Sequence, residues 1–400
     1  MLCLKAGRLE GRFQSPPSKP MSQRYLLAAA LAEGETEITR IEWSDDVVAT
    51  ARAVQPISSI LIKGDRAVVS RREPDFYRAF NVGESGFTLR TAVSVYAGIP
   101  GLTAVYFGGT LRGRPIDELI EVLRKLTEVV KLPGAVIIKG KELGRLEVEI
   151  RADISSQYIS GLMFLAAVGS GGVIKPLGER KSWSFVEATA EVLRAFRAEV
   201  KLGEYIEVGG RMKSPGKLAV PGDFSLSAFL VVAGVATGGE VEIRGPLSKL
   251  DEPLVNAFKA MGVDITTGEG WVRAKGGFYR GIDVNLSDNP DLVMPTALAA
   301  GMVEEESTIR GVETLRYKES NRIATVIDVL ERLGVQVRHE KDAIYIKGPP
   351  KRRDVAFSSH GDHRIGLMAL AASKIVGGCV DDISPVAKSW PAAVLYFISE

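Results

Sequence analysis

The sequence is short of the residues that most often carry metal and thiol chemistry. Among 400 residues there are two cysteines, Cys3 and Cys379, and three histidines, His339, His360 and His363. Two cysteines exclude a disulfide framework of the kind that staples small secreted domains, and they also exclude a cysteine-rich metal site. His360 and His363 share a short loop with no clear third ligand, so no metal and no cofactor is expected. An excess of one charge is missing as well: 51 basic side chains stand against 49 acidic ones, which leaves no case for a protein that coats nucleic acid. No apolar run reaches membrane-spanning length, since Phe224 to Thr237 is too short, and the N-terminus lacks a signal-peptide core. A cytoplasmic globular protein is the expectation.

What is present is a repeat. Pro221-Gly-Asp-Phe-Ser leads into Phe224 to Thr237, a run of small apolar residues stopped by Gly238-Gly239. Asp223 or Ser225 can cap such a helix, and a helix apolar all round must be wrapped by other elements. The same plan, cap, small-residue helix, stop and β-branched strand, recurs at Ser22 to Gly34, Gly86 to Gly98, Ser155 to Gly169, Asp291 to Val303 and Asp362 to Val376. The starts lie roughly 60 to 70 residues apart, the mark of an internal structural repeat. Amphipathic helices with a wet face, each leading into a hairpin, are expected between them at Asp117 to Val130, Phe185 to Phe196, Pro253 to Met261 and Ile323 to Leu333.

Six such units divide into two α/β halves of three, residues 14–220 and residues 221–400, the latter completed by residues 1–13. The opening strands could supply what the last unit lacks, because that unit ends early, at Trp390 to Glu400. Helix N-termini favour anions, each by a few tenths to about 1 kcal/mol, so six of them with free N–H groups suggest an anionic ligand. Cations gather at these starts in Ser18-Lys-Pro-Met-Ser-Gln-Arg24, Glu84-Ser-Gly-Phe-Thr-Leu-Arg90 and Gly361-Asp-His-Arg364, beside the uncharged donors Ser155-Ser-Gln157. Tyr317-Lys-Glu-Ser-Asn-Arg322 adds Lys318 and Arg322, whose four-residue spacing predicts a shared helix face with Glu319 turned away.

These motifs, with Ser44-Asp-Asp, Arg114-Pro-Ile, Pro221-Gly-Asp, Pro290-Asp291 and Lys388, make the chain resemble, essentially from end to end, the 5-enolpyruvylshikimate-3-phosphate (EPSP) synthase family. The resemblance implies a two-domain inside-out α/β barrel, each domain three βαβαββ repeats, with the site in the cleft between them. It implies a monomeric enzyme without cofactor or metal, acting on shikimate 3-phosphate and phosphoenolpyruvate. By the same resemblance Lys19, Arg24, Ser155, Ser156, Gln157, Ser182, Asp291 and Lys318 hold shikimate 3-phosphate. Lys19, Gly86, Arg114, Gln157, Arg322, Arg364 and Lys388 hold phosphoenolpyruvate, and Asp291, Glu319 and Lys19 do the proton chemistry. Asp291 can also be read as the cap of the fifth inner helix.

The chain departs from the family pattern at Pro20, where a Ser is usual, at Phe185 for a Tyr, at Thr314 for an Asn, and at Glu84 and Phe87 within an Asn-Ala-Gly-Thr run. A related enolpyruvyl transferase acting on UDP-N-acetylglucosamine usually has a Cys on the loop before its Arg-Pro pair; here that loop, Gly108 to Pro115, has none. A non-catalytic repeat clamp would spread its cations along one surface instead of placing them at element ends beside Asp291 and Glu319.

Overall fold

A computed structural model describes residues 1–398. Ser399 and Glu400, the end of the expected second half, lie outside the described residues. The chain divides into a continuous N-terminal unit, Lys19–Val220, and a C-terminal unit made of Met1–Ser18 with the chain from Pro221 onward.

In the N-terminal unit the helices are α1 (Lys19–Leu31), α2 (Asp45–Val54), α3 (Gly86–Ala97), α4 (Asp117–Arg124), α5 (Ser156–Val168) and α6 (Ser184–Ala195). Every residue of α3 is buried, and α5 is buried apart from Gln157 and Val168. Their small side chains serve close approach: a Cβ on Gly161 of α5 would lie 2.6 Å from the Ser94 hydroxyl and 2.9 Å from the Arg90 carbonyl of α3. Only glycine fits there. α4 and α6 alternate buried aliphatic with exposed charged residues, as the sequence pattern predicts.

Three four-stranded sheets complete this unit, and each has one parallel pair and two antiparallel pairs. In the middle sheet, Tyr77–Asn81 runs parallel to Gly101–Tyr106 with α3 as the crossover, and Ala135–Gly140 and Glu128–Leu132 follow as a hairpin after α4. Strand, inner helix, strand, outer helix and hairpin make one repeat. The first repeat takes its leading strand from Lys217–Ala219, where the chain returns beside Glu35–Thr39.

One boundary and one missed helix differ from expectation. The helix expected over Asp117 to Val130 ends at Arg124, and Glu128–Leu132 is strand, because β-branched Thr127, Val129 and Val130 pack better on a pleated surface. The sequence pattern also missed α2, whose face toward α1 buries Asp46 and Thr50 among its aliphatic residues.

The C-terminal unit contains α7 (Phe224–Ala236), α8 (Glu252–Ala260), α9 (Val293–Ala300), α10 (Arg322–Arg332), α11 (His363–Val376) and α12 (Ala393–Ile398). α7, α9 and α11 pack pairwise on one another as an apolar centre, with Phe229, Leu230, Met294, Leu298, Leu367 and Met368 all fully buried. Leu2–Leu4 pairs antiparallel with Gly378–Val380 in the last repeat, whereas Gly11–Gln14 joins the fourth repeat, parallel to Val241–Arg244. Cys3 and Cys379, register partners in that pairing, form a disulfide. The sequence excluded a framework of bridges; a single bridge between distant cysteines leaves no local pattern to read.

Candidate active site

In the N-terminal unit a polar seam crosses the first turns of α1, α2 and α3. Lys19 Nζ lies 2.9 Å from Asp46 Oδ2, both largely buried. Gln23 Nε2 lies within 3.1 Å of the hydroxyls of Thr50, Ser85 and Thr88. Arg24 is 2% exposed, and its guanidinium donates to Thr189 Oγ1 at 2.9 Å, the Pro20 carbonyl at 2.9 Å and the Phe185 carbonyl at 3.1 Å. Three of its five N–H donors are thus engaged by protein. It also stacks 4.6 Å from the Phe87 ring centre and 5.7 Å from that of Phe185. Three of the residues that depart from the family pattern, Pro20, Phe87 and Phe185, therefore surround one guanidinium. Burial pushes the pKa of Arg24 down to about 9.

A second guanidinium organises the rest of this unit's candidate residues. Arg90 donates to the Gly86 carbonyl at 3.2 Å, to Gln157 Oε1 at 2.8 Å and to the Pro115 carbonyl at 2.6 Å. It thereby ties the starts of α3 and α5 to the loop that carries Arg114. Burial first, and then the charge of Arg114, lower its pKa to about 10. A Cβ on Gly86 would sit 2.6 Å from Arg90 Nη1 and 3.3 Å from Arg114 Nη1, so glycine lets both cations come near. The Nε atoms of Arg90 and Arg114 are buried with no acceptor from the protein. Glu84 accepts from the Thr110 amide and hydroxyl at 3.3 and 3.2 Å, holding the same loop. Ser155 Oγ accepts from the Gln157 amide at 3.3 Å, Ser156 is buried in the first turn of α5, and Ser182 sits at φ 54° just ahead of α6.

The C-terminal unit gathers its candidates around Asp291. Arg322 Nη1 lies 3.0 Å from Asp291 Oδ1, Arg364 Nη2 lies 3.2 Å from Oδ2, and Lys318 Nζ lies 3.9 Å from Oδ1. Arg322 further binds Glu319 at 2.7 Å and Asp362 at 2.8 Å. Three cations face three carboxylates. Burial would raise the Asp291 pKa, but Arg364, Lys318 and Arg322 together outweigh it and hold the carboxyl well below the ordinary range. For Arg322, burial is likewise overcome, by Asp362, Glu319 and Asp291, and its pKa is raised. Lys388 ends the short turn Ser384–Lys388, which packs on α11.

Three sequence expectations change here. Glu319 faces Arg322 rather than turning away, because α10 begins only at Arg322, capped by Asn321, so helical spacing does not apply to residues 318–321. Asp291 lies in the turn Pro290–Leu292 ahead of α9, and its carboxylate goes to the cations, not to the helix amides. Two helix starts expected to offer free N–H groups are partly satisfied from within: Asp223, the expected cap, and Asp251 accept from the first amides of α7, and Asp362 from the Arg364 amide of α11. Asp46, Arg90 and Asp362 were missed as members of these clusters, although each stands inside a motif already singled out.

The comparisons cover nearly the whole chain. The family model described as EPSP synthase (3-phosphoshikimate 1-carboxyvinyltransferase) matches residues 4–394. A relative from Korarchaeum cryptofilum with the name 3-phosphoshikimate 1-carboxyvinyltransferase is 33% identical over 98% of this chain and 96% of its own. One of the same name from Methanopyrus kandleri is 35% identical over 91% and 88%. The solved structure of an EPSP synthase from Acinetobacter baumannii superposes with a TM-score of 0.82 at 23% identity, covering 98% of this chain and 96% of that one, which establishes the shared two-domain inside-out α/β fold. With a model match from end to end and relatives above 30% identity, the chain belongs to the EPSP synthase family.

Proposed function

We propose that the protein carries out its family's reaction, transfer of the enolpyruvyl group of phosphoenolpyruvate to the 5-hydroxyl of shikimate 3-phosphate with release of phosphate, in the cytoplasm. The observation that carries this reading is the cluster of Asp291 and Glu319 with Lys318, Arg322 and Arg364 in a chain that matches the family throughout. Each substrate carries a carboxylate and a phosphate, the latter worth about −1.5 to −2 at neutral pH, so both need several cations.

To shikimate 3-phosphate we assign Lys19, Arg24, Ser155, Ser156, Gln157, Ser182, Asp291 and Lys318. Phosphoenolpyruvate takes Lys19, Gly86, Arg114, Gln157, Arg322, Arg364 and Lys388. The unpartnered Nε groups of Arg114 and Arg364 support this, since a buried donor without an acceptor is costly unless a ligand supplies one. Asp291 serves as base at the attacking hydroxyl, Glu319 as acid at C3, and Lys19 assists.

The ion pairs offer a way to set basicity. Anionic substrates compete with Asp291 for Arg322 and Arg364, and every contact they take raises the proton affinity of its carboxylate. Addition gives a tetrahedral adduct; elimination then expels phosphate and returns the proton from C3.

Phosphate release with phosphoenolpyruvate and either shikimate 3-phosphate or UDP-N-acetylglucosamine, without added metal, tests the reading. Release with shikimate 3-phosphate alone is expected. Release with the nucleotide sugar alone, or with neither, would overturn it.

A further inference from the structure

Strand Gly378–Val380 runs parallel to Val355–Phe357, and their pairing ends where the Asp381 amide donates to the Phe357 carbonyl at 3.1 Å. There the two chain segments part. One continues through residues 358–362 into Arg364; the other passes Asp382 into the turn Ser384–Lys388. Two of the cations assigned to phosphoenolpyruvate thus leave from one junction, and two consecutive aspartates stand at it.

Asp381 turns its carboxylate onto the branch that carries Arg364. Oδ2 accepts from the Ser358 hydroxyl at 2.6 Å and Oδ1 from the Ser359 amide at 3.0 Å. Ser358 Oγ in turn accepts from the His360 amide at 3.2 Å, and the Ser359 carbonyl from the amide of Asp362, which caps α11 at Arg364. This branch runs through two left-handed residues, His360 at φ 50° and Gly361 at φ 68°. A β-carbon makes that conformation unfavourable at His360, so the loop needs support from outside itself. Burial would raise the pKa of Asp381, but the bonds from Ser358, Ser359 and the Asp382 amide, with the charge of His360, outweigh it and keep the carboxylate a full acceptor.

Asp382 serves the other branch. Its Oδ1 accepts from the Ser384 amide and its Oδ2 from the Ser384 hydroxyl, both at 2.9 Å, which fixes the first residue of the turn that ends in Lys388. Both aspartates are exposed, so packing does not account for them.

We infer that Asp381 and Asp382 are positioning residues of the phosphoenolpyruvate site, Asp381 aiming Arg364 through residues 358–362 and Asp382 aiming Lys388 through its turn. Without Asp381 the Ser359 amide, in a residue 1% exposed, loses its acceptor, and the loop shifts to find another. The inference rests on the reaction proposed above.

Steady-state phosphate release by Asp381→Ala and Asp382→Ala, with each substrate varied in turn, tests it. Each variant should raise KM for phosphoenolpyruvate about five- to twentyfold, the scale of a lost bond to a charged group, and leave KM for shikimate 3-phosphate within about a factor of two. A variant that is merely less stable loses active enzyme, which lowers apparent kcat and moves neither KM. Asp283→Ala, which removes another exposed aspartate, paired with Arg310 at 2.9 Å, should change neither. Should Asp381→Ala fail to fold, Asp381→Asn, which keeps one acceptor for the Ser359 amide, should show the same split at smaller size. No release by the wild type would sink the reaction itself. Release by the wild type, with an unchanged KM for phosphoenolpyruvate in a variant or an equal rise in both KM values, would overturn that aspartate's role alone.

Discussion

The two units surround their central buried arginines in opposite ways. Around Arg24 and Arg90 in the N-terminal unit the acceptors are neutral carbonyls, a hydroxyl and an amide, and burial lowers both pKa values. Around Arg322 in the C-terminal unit stand Asp291, Glu319 and Asp362, and the pKa rises. A cation with only neutral partners still attracts an anion; one with three carboxylates binds an anion only in competition with them, and its pairing sets their protonation. On our proposal the first arrangement suits substrate binding alone, and the second couples phosphoenolpyruvate binding to proton transfer.

The largest expected effect is on Asp291. Asp291→Asn should lower kcat by about 10²–10⁴ while KM changes much less, the range for loss of a general base; a kcat within a factor of three of wild type would remove the role. The same carboxyl predicts a pH effect. Because its folded pKa lies below the ordinary value, its stabilising contribution is complete above the ordinary carboxylate range and is lost as pH falls below it. Urea midpoints measured through that window should fall for the wild type, and Asp291→Asn should lack this component of the slope.

Arg322→Ala should come next, since it takes from three carboxylates the cation they share, and one of them, Asp362, is wholly buried; about 3–5 kcal/mol of stability should be lost by urea unfolding. The contrast with the N-terminal unit sharpens with Arg90→Lys, which keeps the charge but cannot reach Gly86, Gln157 and Pro115 together. Loss of charge-assisted bonds worth about 1.5–3 kcal/mol should raise KM for phosphoenolpyruvate roughly tenfold or more, with little effect on kcat. An unchanged KM would mean that Arg90 does not position the assigned residues. Phe87→Leu, which removes a ring from the Arg24 face, should be the smallest, about 0.5–1 kcal/mol in affinity for shikimate 3-phosphate by calorimetry.

Much of the fold was legible because it rests on local rules. The runs at Gly86 to Gly98 and Phe224 to Thr237 are too uniformly apolar to be anything but central helices, and they are. Helix α2 escaped because its buried face is partly polar: Asp46 and Thr50 are inside to meet Lys19 and Gln23, which lie far away in sequence. The direction of Glu319 escapes helical spacing because residues 318–321 precede the helix, which leaves Glu319 to turn toward Arg322.

The sequence by itself determined the repeat, the inner and outer helices, the family and the residue types at the candidate site, since each depends on periodicity, composition and ordered motifs along the chain. Only the tertiary structure decided the partners: that Arg322 holds three carboxylates, that Arg90 ties two helix starts to a loop, that Pro20, Phe87 and Phe185 surround Arg24, and that Cys3 joins Cys379. The physical reason is distance. Charge pairing, desolvation and packing act through space over a few ångströms, whereas Arg24 and Thr189 stand 165 positions apart in sequence and the disulfide partners Cys3 and Cys379 376.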